Sequence, residues 1–580
     1  MSCRPGAVAA ALAACAVALG AGAQPAATAA PVSVSGPLVA VIVREAPEVA
    51  GGPQDRTREL GGSVDRELGI IDAFTAHLPV GAVPELRRAP GVLAVTPDAS
   101  VTLSTGQFDG FAPKSDLGSM YWVGQEVTGA GEFWNDGITG RGVDVAMIDS
   151  GVADVDGLRG PDKVLHGPDL SFESQSDATR YVDTYGHGTH MAGIIAGRDD
   201  ATPRPVQKGV EDHFVGVAPD ARIVSVKVAD RHGATDVSQV IAAIDWVVQH
   251  RADPGMNIRV LNLSFGTDGV QDHQLDPLAF AAEVAWRKGI VVVAAAGNRG
   301  DSSSRLTNPA YDPWVLAVGG ADGRGTYDVA DDVVGGYSSR GDENRAPDLV
   351  APGTSVVSLR APGSTAELDN PGARVGTRQL RGSGTSQAAA VVSGAAALVI
   401  AQRPGATPDQ VKALLTRTAR RLPVADSRAQ GSGMVDLKVA RTTPTPLAVQ
   451  RHALSTGLGS LEASRGGAHL VDAAGTELRG EVDIFGNAFS AGEWSTLAAT
   501  TGSWTGGTWN ASRWSGDGWS ASRWSASRCS ASRWSGDSWS ASRWSASRWS
   551  TGVWRSDRWS GTPTGGSSWL SNRWGSPSGG

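Results

Sequence analysis

The chain contains few cysteines and no excess of positive charge. Among its 580 residues only Cys3, Cys15 and Cys529 are cysteines, so a fold held together by disulfides is excluded. The chain has 51 lysines and arginines and 59 aspartates and glutamates, which gives a net charge of −8. This negative charge argues against a protein that mainly binds nucleic acid. Beyond the N-terminus we expect no apolar run of the roughly 18 residues that a membrane span needs. With 41% hydrophobic residues, the chain can bury a core.

The first residues have the pattern of a secretory signal peptide. Arg4 precedes an apolar run at 7–19, and Ala21-Gly22-Ala23 provides the small residues of a cleavage site. We therefore expect residues 1–23 to be removed from a secreted, extracellular protein. The residues before Cys15 also resemble a bacterial lipoprotein box, but the apolar run continues past Cys15, which favours ordinary signal cleavage.

Tryptophan is concentrated in a repeat at the other end of the chain. Of the 19 tryptophans, 14 lie from Trp494 onward, most of them five residues apart. A period of five fits neither a helix nor a flat strand, so residues 494–580 form either a solenoid of pentads or a disordered tail. Nine arginines against three aspartates make residues 504–574 cationic. Stacked aromatic faces favour a cell wall or polysaccharide as partner, and nucleic acid is not expected for a secreted acidic protein.

Two further segments flank the middle of the chain. In residues 36–104, apolar runs at 38–43, 71–78 and 92–95 predict strands and 83–88 predicts a short helix, together a small α+β unit. Residues 441–493 carry no strong pattern, and we expect a linker or a small β region there.

Strand and helix patterns alternate through residues 115–440. Nearly continuous apolar runs at 143–148, 223–228, 260–264 and 290–294 predict strands that are covered on both faces, and 236–250 predicts a helix. Such alternation indicates an α/β fold with a mostly parallel sheet. In these folds functional groups gather at the carboxyl ends of the strands.

An acid, a base and a nucleophile stand at the ends of predicted elements. Asp149 follows the first of these strands, His187 opens a helix in GHGTH, and Ser386 opens another in GTSQA. A serine hydroxyl needs a neighbouring base to attack, and a carboxylate can hold that imidazole in one tautomer. The three residue types therefore indicate catalysis by a nucleophilic serine. His190 and Asp183 are expected to support the structure.

The blocks VAMIDSGV, GHGTHMAG, AAAGN and GTSQAAAVVSG stand in this order in the chain. They resemble the four signature blocks of the subtilisin-like serine proteases. The resemblance implies a subtilisin-like three-layer α/β fold over 115–440 and a serine endopeptidase acting on proteins or peptides. LRRAPGVLAVTPD is similar to the propeptides of this family, which implies that 36–104 is an intramolecular inhibitor. The alternative is a catalytically silent fold that binds a cell surface or polysaccharide.

The resemblance also assigns roles to single residues. It makes Asp149 the orienting acid, His187 the general base and Ser386 the nucleophile, with Asn298 as the side-chain donor of the oxyanion hole. It places the walls of the specificity pocket at Ser264, Phe265 and Gly266 and at Ala295, Ala296 and Gly297.

Two residues after Ser386 depart from the family pattern. Gln387 stands where the family usually has Met, and Ala390 where it usually has Pro. Proline is tolerated early in a helix but is not required there, so we expect activity.

The chemistry requires no cofactor, and we expect no metal in the active site. Relatives often carry structural calcium, for which Asp328, Asp331 and Asp332 are candidate ligands. Their spacing matches no calcium loop, so we expect solvated loop residues.

Overall fold

The computed structural model describes residues 36–46, 52–68, 72–97, 112–501, 554–560 and 573–574. Within the long range, residues 161, 177, 210–212, 301–304, 327, 424, 468, 473–476 and 485–487 are not described. The chain divides into two compact units, Met1–Gly106 and Gln107–Gly580. The predicted signal peptide and most of the pentad repeats lie outside the described residues.

The first unit is a small antiparallel sheet with two helices. Its elements are β1 (Leu38–Glu45), α1 (Gly52–Glu59), β2 (Ser63–Leu68), β3 (Ala73–Pro79), α2 (Val83–Leu86) and β4 (Val92–Pro97). The strand order is β2-β3-β1-β4. Alternate residues of β1 point inward, so Val41 and Val43 pack with Phe74 and Leu86 in a separate core. The sequence pattern missed α1 and β2, because both are too polar to show a strong apolar period.

The second unit contains an eight-stranded sheet. Its strands are β5 (Asp144–Asp149), β6 (Val164–Asp169), β7 (Arg222–Lys227), β8 (Ile258–Leu263), β9 (Val291–Ala295), β10 (Leu316–Asp322), β11 (Val333–Val334) and β12 (Leu349–Pro352). The order is β11-β10-β9-β8-β5-β7-β6, with β12 beside β10. Every pair is parallel except β10 with β11.

The helices of the unit complete a three-layer α/β fold. They are α3 (Ala130–Asn135), α4 (His187–Ala196), α5 (Val237–His250), α6 (Pro277–Arg287), α7 (Thr365–Asp369), α8 (Thr385–Gln402), α9 (Pro408–Thr418) and α10 (Leu437–Thr442), with a π-helix at Tyr121–Val127. Helices α4, α5, α6, α8 and α9 pack against this sheet. Every residue of β5 and β9 is buried, which confirms that these apolar runs are strands with both faces covered.

Smaller elements complete the unit. They are β13 (Val356–Leu359), β14 (Arg374–Val375) and β15 (Gln379–Ser383), then α11 (Leu461–Arg465), β16 (His469–Asp472), α12 (Ala491–Thr501), β17 (Trp554–Ser560) and β18 (Arg573–Trp574). Strand β15 pairs with β13, β14 and β18, and β16 pairs with β17. Two short pieces of the pentad region are therefore strands.

Helix α8 is long and apolar enough by composition to cross a membrane, with a mean hydropathy of 1.3. The expectation that no such run exists beyond the N-terminus was wrong, because interspersed Ser, Gln and Gly hide the apolar character of the helix. The protein itself buries 89% of α8, which packs against β8, β9 and β10. It is a central helix of the core.

The packed core continues beyond residue 440, where the sequence placed the end of the catalytic segment. We call residues 443–501 the C-terminal extension. Its buried apolar side chains belong to the same hydrophobic core as the large sheet: Leu461, Leu470, Leu478, Ile484, Phe489 and Trp494. The Trp494 ring meets that of Phe280 in α6 edge-on at 5.0 Å. The segment predicted to be a linker or a small β region thus packs against the large sheet and contains one short strand, β16. Its lack of periodicity reflects irregular loops that bury single side chains.

Two buried carboxyl groups lie where α6 meets the C-terminal extension. Both carboxyl oxygens of Glu283 accept from the Ser455 N–H, at 2.9 and 3.0 Å. Burial, and then the charge of Asp312, raises the pKa of Glu283 to about 8. Burial raises the pKa of Asp312 to about 7.

This pair is expected to lower stability as the pH rises through neutrality. In the unfolded chain both groups ionise at about pH 4–5, whereas in the folded protein they keep protons up to about pH 7–8. The folded state therefore binds more protons in this window, and the free energy of unfolding decreases from about pH 5 to pH 8. Thermal unfolding at both ends of the window checks this. Between about pH 5 and pH 8 the Tm of Glu283→Gln should fall less than that of the wild type. An equal fall in both proteins would contradict the assignment.

Candidate active site

Asp149 and His187 form a buried pair at the carboxyl end of the central strand. Asp149 is the last residue of β5 and His187 the first of α4, and both side chains are fully buried. His187 Nδ1 lies 2.9 Å from Asp149 Oδ1 and 3.0 Å from Oδ2. Because a carboxylate only accepts, Nδ1 carries the proton and Nε2 holds the lone pair. The imidazole is thereby set to accept a proton at Nε2.

Ser150 and Asp183 hold this pair in place. The Ser150 N–H donates to Asp149 Oδ1 at 2.7 Å, and the Ser150 hydroxyl donates to Asp183 at 2.8 Å. Asp183 also accepts from the Gly186 N–H at 2.6 Å. Gly186 begins the helix with a φ of +100°, a conformation that favours glycine. Asp183 thus braces the turn before His187, the supporting role predicted for it.

His190 links the histidine helix to the strand that precedes the serine. Its Nε2 donates to the Leu380 carbonyl of β15 at 3.1 Å. Burial, and then the charge of His187, lowers the pKa of His190 to about 3, so the ring is neutral and structural. Strand β15 ends at Ser383, directly before α8, and α8 packs against α4. The fold thus brings the start of the serine helix to the histidine helix.

Ser386 is the second residue of α8 and is 3% exposed. Its hydroxyl donates to the Ser264 carbonyl at 2.8 Å, and the Ser264 hydroxyl donates to the Ser386 carbonyl at 3.1 Å. These two bonds join the first turn of α8 to the end of β8. Its place in the first turn also exposes Ser386 to the positive end of the helix dipole.

The side-chain amide of Asn298 has a defined orientation. Its Oδ1 accepts from the N–H and the hydroxyl of Thr385, at 2.8 and 2.9 Å. The remaining polar atom, Nδ2, can only donate, which is what an oxyanion-hole residue requires. The preceding Gly297 has a φ of +108°, and a Cβ there would lie 2.7 Å from Thr307. Glycine is therefore needed to turn the chain toward Asn298.

The two predicted pocket walls lie side by side. Ser264, Phe265 and Gly266 follow β8, while Ala295, Ala296 and Gly297 end and follow β9, its parallel neighbour. A Cβ on Gly266 would lie 2.5 Å from the Thr307 hydroxyl oxygen, and that hydroxyl donates to the Ala295 carbonyl at 3.0 Å. Thr307 therefore lies against both walls and sets the distance between them.

Comparison with known proteins decides the family. A profile of the Subtilase family of peptidases matches residues 140–433. The chain belongs to this family. Serine protease AprX of Bacillus subtilis is 35% identical over 306 residues, which are 52% of this chain and 66% of that protein. Subtilisin E of the same species is 32% identical over 389 residues, 67% of this chain and 85% of the relative. Minor extracellular protease Epr, also of Bacillus subtilis, is 27% identical over 383 residues, 65% of this chain and 51% of the relative.

This subtilase is a serine-type endopeptidase, as the sequence blocks implied. The departures after the serine leave the helix intact, since α8 runs unbroken through Gln387 and Ala390, both fully buried. Alanine at position 390 fits the helix because alanine has the highest helix propensity.

Two residues of the site escaped the sequence analysis. Thr385 orients Asn298, and Thr307 spaces the pocket walls. Thr385 lies inside the serine block, so its position was visible but its contact with Asn298 was not. Thr307 lies in a loop without any motif. Both act through contacts far apart in sequence, which only the fold reveals.

The candidate calcium ligands are engaged with protein groups. Asp331 accepts from the Thr326 hydroxyl at 2.8 Å, and Asp328 accepts from the Ala330 N–H at 2.9 Å. Burial raises the pKa of Asp332, which lies near Arg420, to about 6. Among the described residues, no three His, Cys, Asp or Glu side chains are arranged to hold a metal ion. That these aspartates are loop residues rather than calcium ligands stays a prediction.

Proposed function

We propose that this subtilase is a secreted zymogen whose mature form hydrolyses peptide bonds with Asp149, His187 and Ser386. The buried contact between Asp149 and His187 carries the proposal, because it leaves the Nε2 lone pair as the base. Ser386, at the start of the adjoining helix, is the hydroxyl that this base would serve.

The reaction proceeds in two halves. Ser386 Oγ attacks the carbonyl carbon of the scissile bond while its proton passes to His187 Nε2. The oxyanion accepts hydrogen bonds from Asn298 Nδ2 and the Ser386 N–H. The imidazolium then protonates the leaving amine, and the C–N bond breaks to leave an acyl-enzyme. Water attacks the ester in the same way, its proton passing through His187 back to Ser386 Oγ.

Residues 36–104 act in this proposal as an intramolecular inhibitor that is cut off. The support is that they form a unit with its own hydrophobic core directly before the catalytic unit. Secretion follows from the N-terminal signal pattern and agrees with the extracellular relative named above.

The proposal is tested on mature protein purified from culture medium. Hydrolysis of denatured casein should be blocked by a serine-reactive phosphonate, and mass spectrometry should locate one label per chain on Ser386. Ser393, a buried serine of the same helix, is the internal control and should stay unlabelled. Absence of hydrolysis, or a label elsewhere, would refute the assignment.

The tryptophan-rich tail is proposed to retain the enzyme at a cell wall or polysaccharide. The support is the regular spacing of its aromatic residues and its positive charge. A chain ending at Thr501 should keep its peptidase activity and be lost from the cell-wall fraction into the medium. Unchanged retention would show that the tail is not the anchor.

A further inference from the structure

Two loops border the proposed active site on opposite sides. Strands β7 and β8 flank β5 in the sheet, so the loops that follow them, residues 228–236 and 264–276, lie on either side of Asp149. In the first loop, a Cβ on Gly233 would lie 3.2 Å from the ring of Tyr185, and this ring stacks on His187 with centroids 6.5 Å apart. The second loop begins at Ser264, the hydrogen-bond partner of Ser386. A peptide that reaches Ser386 would therefore pass between the two loops.

Each loop ends in an aspartate that caps the next helix. Asp236 accepts from the N–H of Ser238 at 2.9 Å and begins α5. Asp276 accepts from the N–H groups of Leu278 and Ala279, at 2.8 and 3.1 Å, and begins α6. A cap satisfies free N–H groups of the first turn and so stabilises the start of the helix. The two capping aspartates therefore determine where each loop ends.

Adjacent residues of the C-terminal extension hold these two aspartates. The Ser464 hydroxyl donates to Asp276 Oδ1 at 2.8 Å. Arg465 Nε donates to Asp236 Oδ1 at 2.7 Å. Both belong to α11, which packs against α5 and α6. One short helix thus connects the ends of both loops.

A third contact reaches the middle of the second loop. The Gly467 N–H donates to Asp268 Oδ1 at 2.7 Å, and Arg299 donates to the other oxygen of Asp268 at 2.6 Å. Arg299 directly follows Asn298. The extension therefore contacts Asp268, whose carboxylate is hydrogen-bonded to Arg299, the residue after the proposed oxyanion donor.

Arg465 is buried and is hydrogen-bonded to several parts of the protein. Its side chain is 1% exposed and that of Asp236 is 2% exposed. The Arg465 guanidinium also donates to the carbonyls of Gly480 and Val482 and contacts Glu462. Asp236 raises the pKa of Arg465 against burial, and Arg465 in turn lowers the pKa of Asp236. The buried guanidinium therefore joins one cleft loop to the extension through directional bonds.

We propose that Ser464, Arg465 and Gly467 form a brace that sets the width of the groove between loops 228–236 and 264–276. Arg465 is then a positioning residue for the substrate residues before the scissile bond. Residues 264–266 wall the proposed specificity pocket, so residues 267–276 lie next to substrate positions further from the bond. This inference rests on the proposed function, since it presupposes peptide substrates.

The test varies substrate length in the full chain. Acetylated alanine peptides of one to four residues, each carrying the same p-nitroanilide, report kcat and KM separately. Arg465→Met should lower kcat/KM for the four-residue peptide about 10-fold, mainly through KM, and change the one-residue substrate less than about 2-fold. Arg479→Met is the matched control, because Arg479 belongs to the same extension but is 59% exposed. It should behave like the wild type at every length.

A second variant covers the case in which Arg465→Met does not fold. That change leaves Asp236 buried without its cation, whereas Asp236→Asn with Arg465→Met removes both charges and keeps a good capping residue. The same length dependence in the double variant supports the brace. An equal loss at all lengths, or no loss for the longest peptide, overturns it. A wild type that cleaves no peptide refutes the proposed function instead.

Discussion

Replacing Ser386 by alanine is expected to reduce hydrolysis of denatured casein by about 10⁶-fold, the order found for subtilisin itself when its serine is removed. The loss is large because no other group can form the acyl-enzyme, and His187 is left with no hydroxyl to deprotonate. The rate is measured with the purified mature form of the variant. A trace of active wild-type enzyme first removes the propeptide from the variant and is then inactivated with the phosphonate.

Two comparisons make this result specific. His187→Ala should cost about as much as Ser386→Ala, and the double variant little more, because the two residues act as one unit. Expressed alone, the Ser386→Ala protein should stay at the size of the precursor on a gel. Maturation of this variant without added enzyme would exclude self-cleavage, and retained hydrolysis would exclude Ser386 as nucleophile.

A chain that ends at Thr443 is expected not to fold stably. It keeps α10 but loses six apolar side chains of the core, among them Trp494, each contributing about 1.5–3 kcal/mol when fully buried. It also leaves Asp236 buried without Arg465. The sum is comparable to the total stability of about 5–15 kcal/mol of a typical domain. Circular dichroism and thermal unfolding should show a lost transition, or a Tm lower by more than about 10 °C.

The chain ending at Thr501 is the matched control for this truncation. It keeps the C-terminal extension with its six core side chains and removes the pentad repeats together with the short strands β17 and β18. Its Tm should therefore fall by no more than about 4 °C. A stable, active chain ending at Thr443 would show that the extension is an accessory layer. It would also remove the structural basis of the proposed brace.

The sequence alone was sufficient to predict the family, the fold class and the elements that carry the proposed catalytic residues. Local signals explain this: apolar runs predicted β5, β7, β8 and β9, and Asp149, His187 and Ser386 each stand at the end of an element inside a recognisable block. Each of these signals lies within one short segment of the sequence. A buried parallel strand, for example, is apolar along its whole length.

Only the tertiary structure decided how the remaining residues serve the site. Thr385 orients Asn298, Thr307 spaces the pocket walls, and Arg465 reaches Asp236 across 229 positions of sequence. None of these contacts leaves a periodic pattern, since each depends on one polar side chain meeting one partner. The same holds for the C-terminal extension, whose single buried residues lie in irregular loops. Sequence patterns report which face of an element is buried, whereas packing between distant segments decides what lies against it.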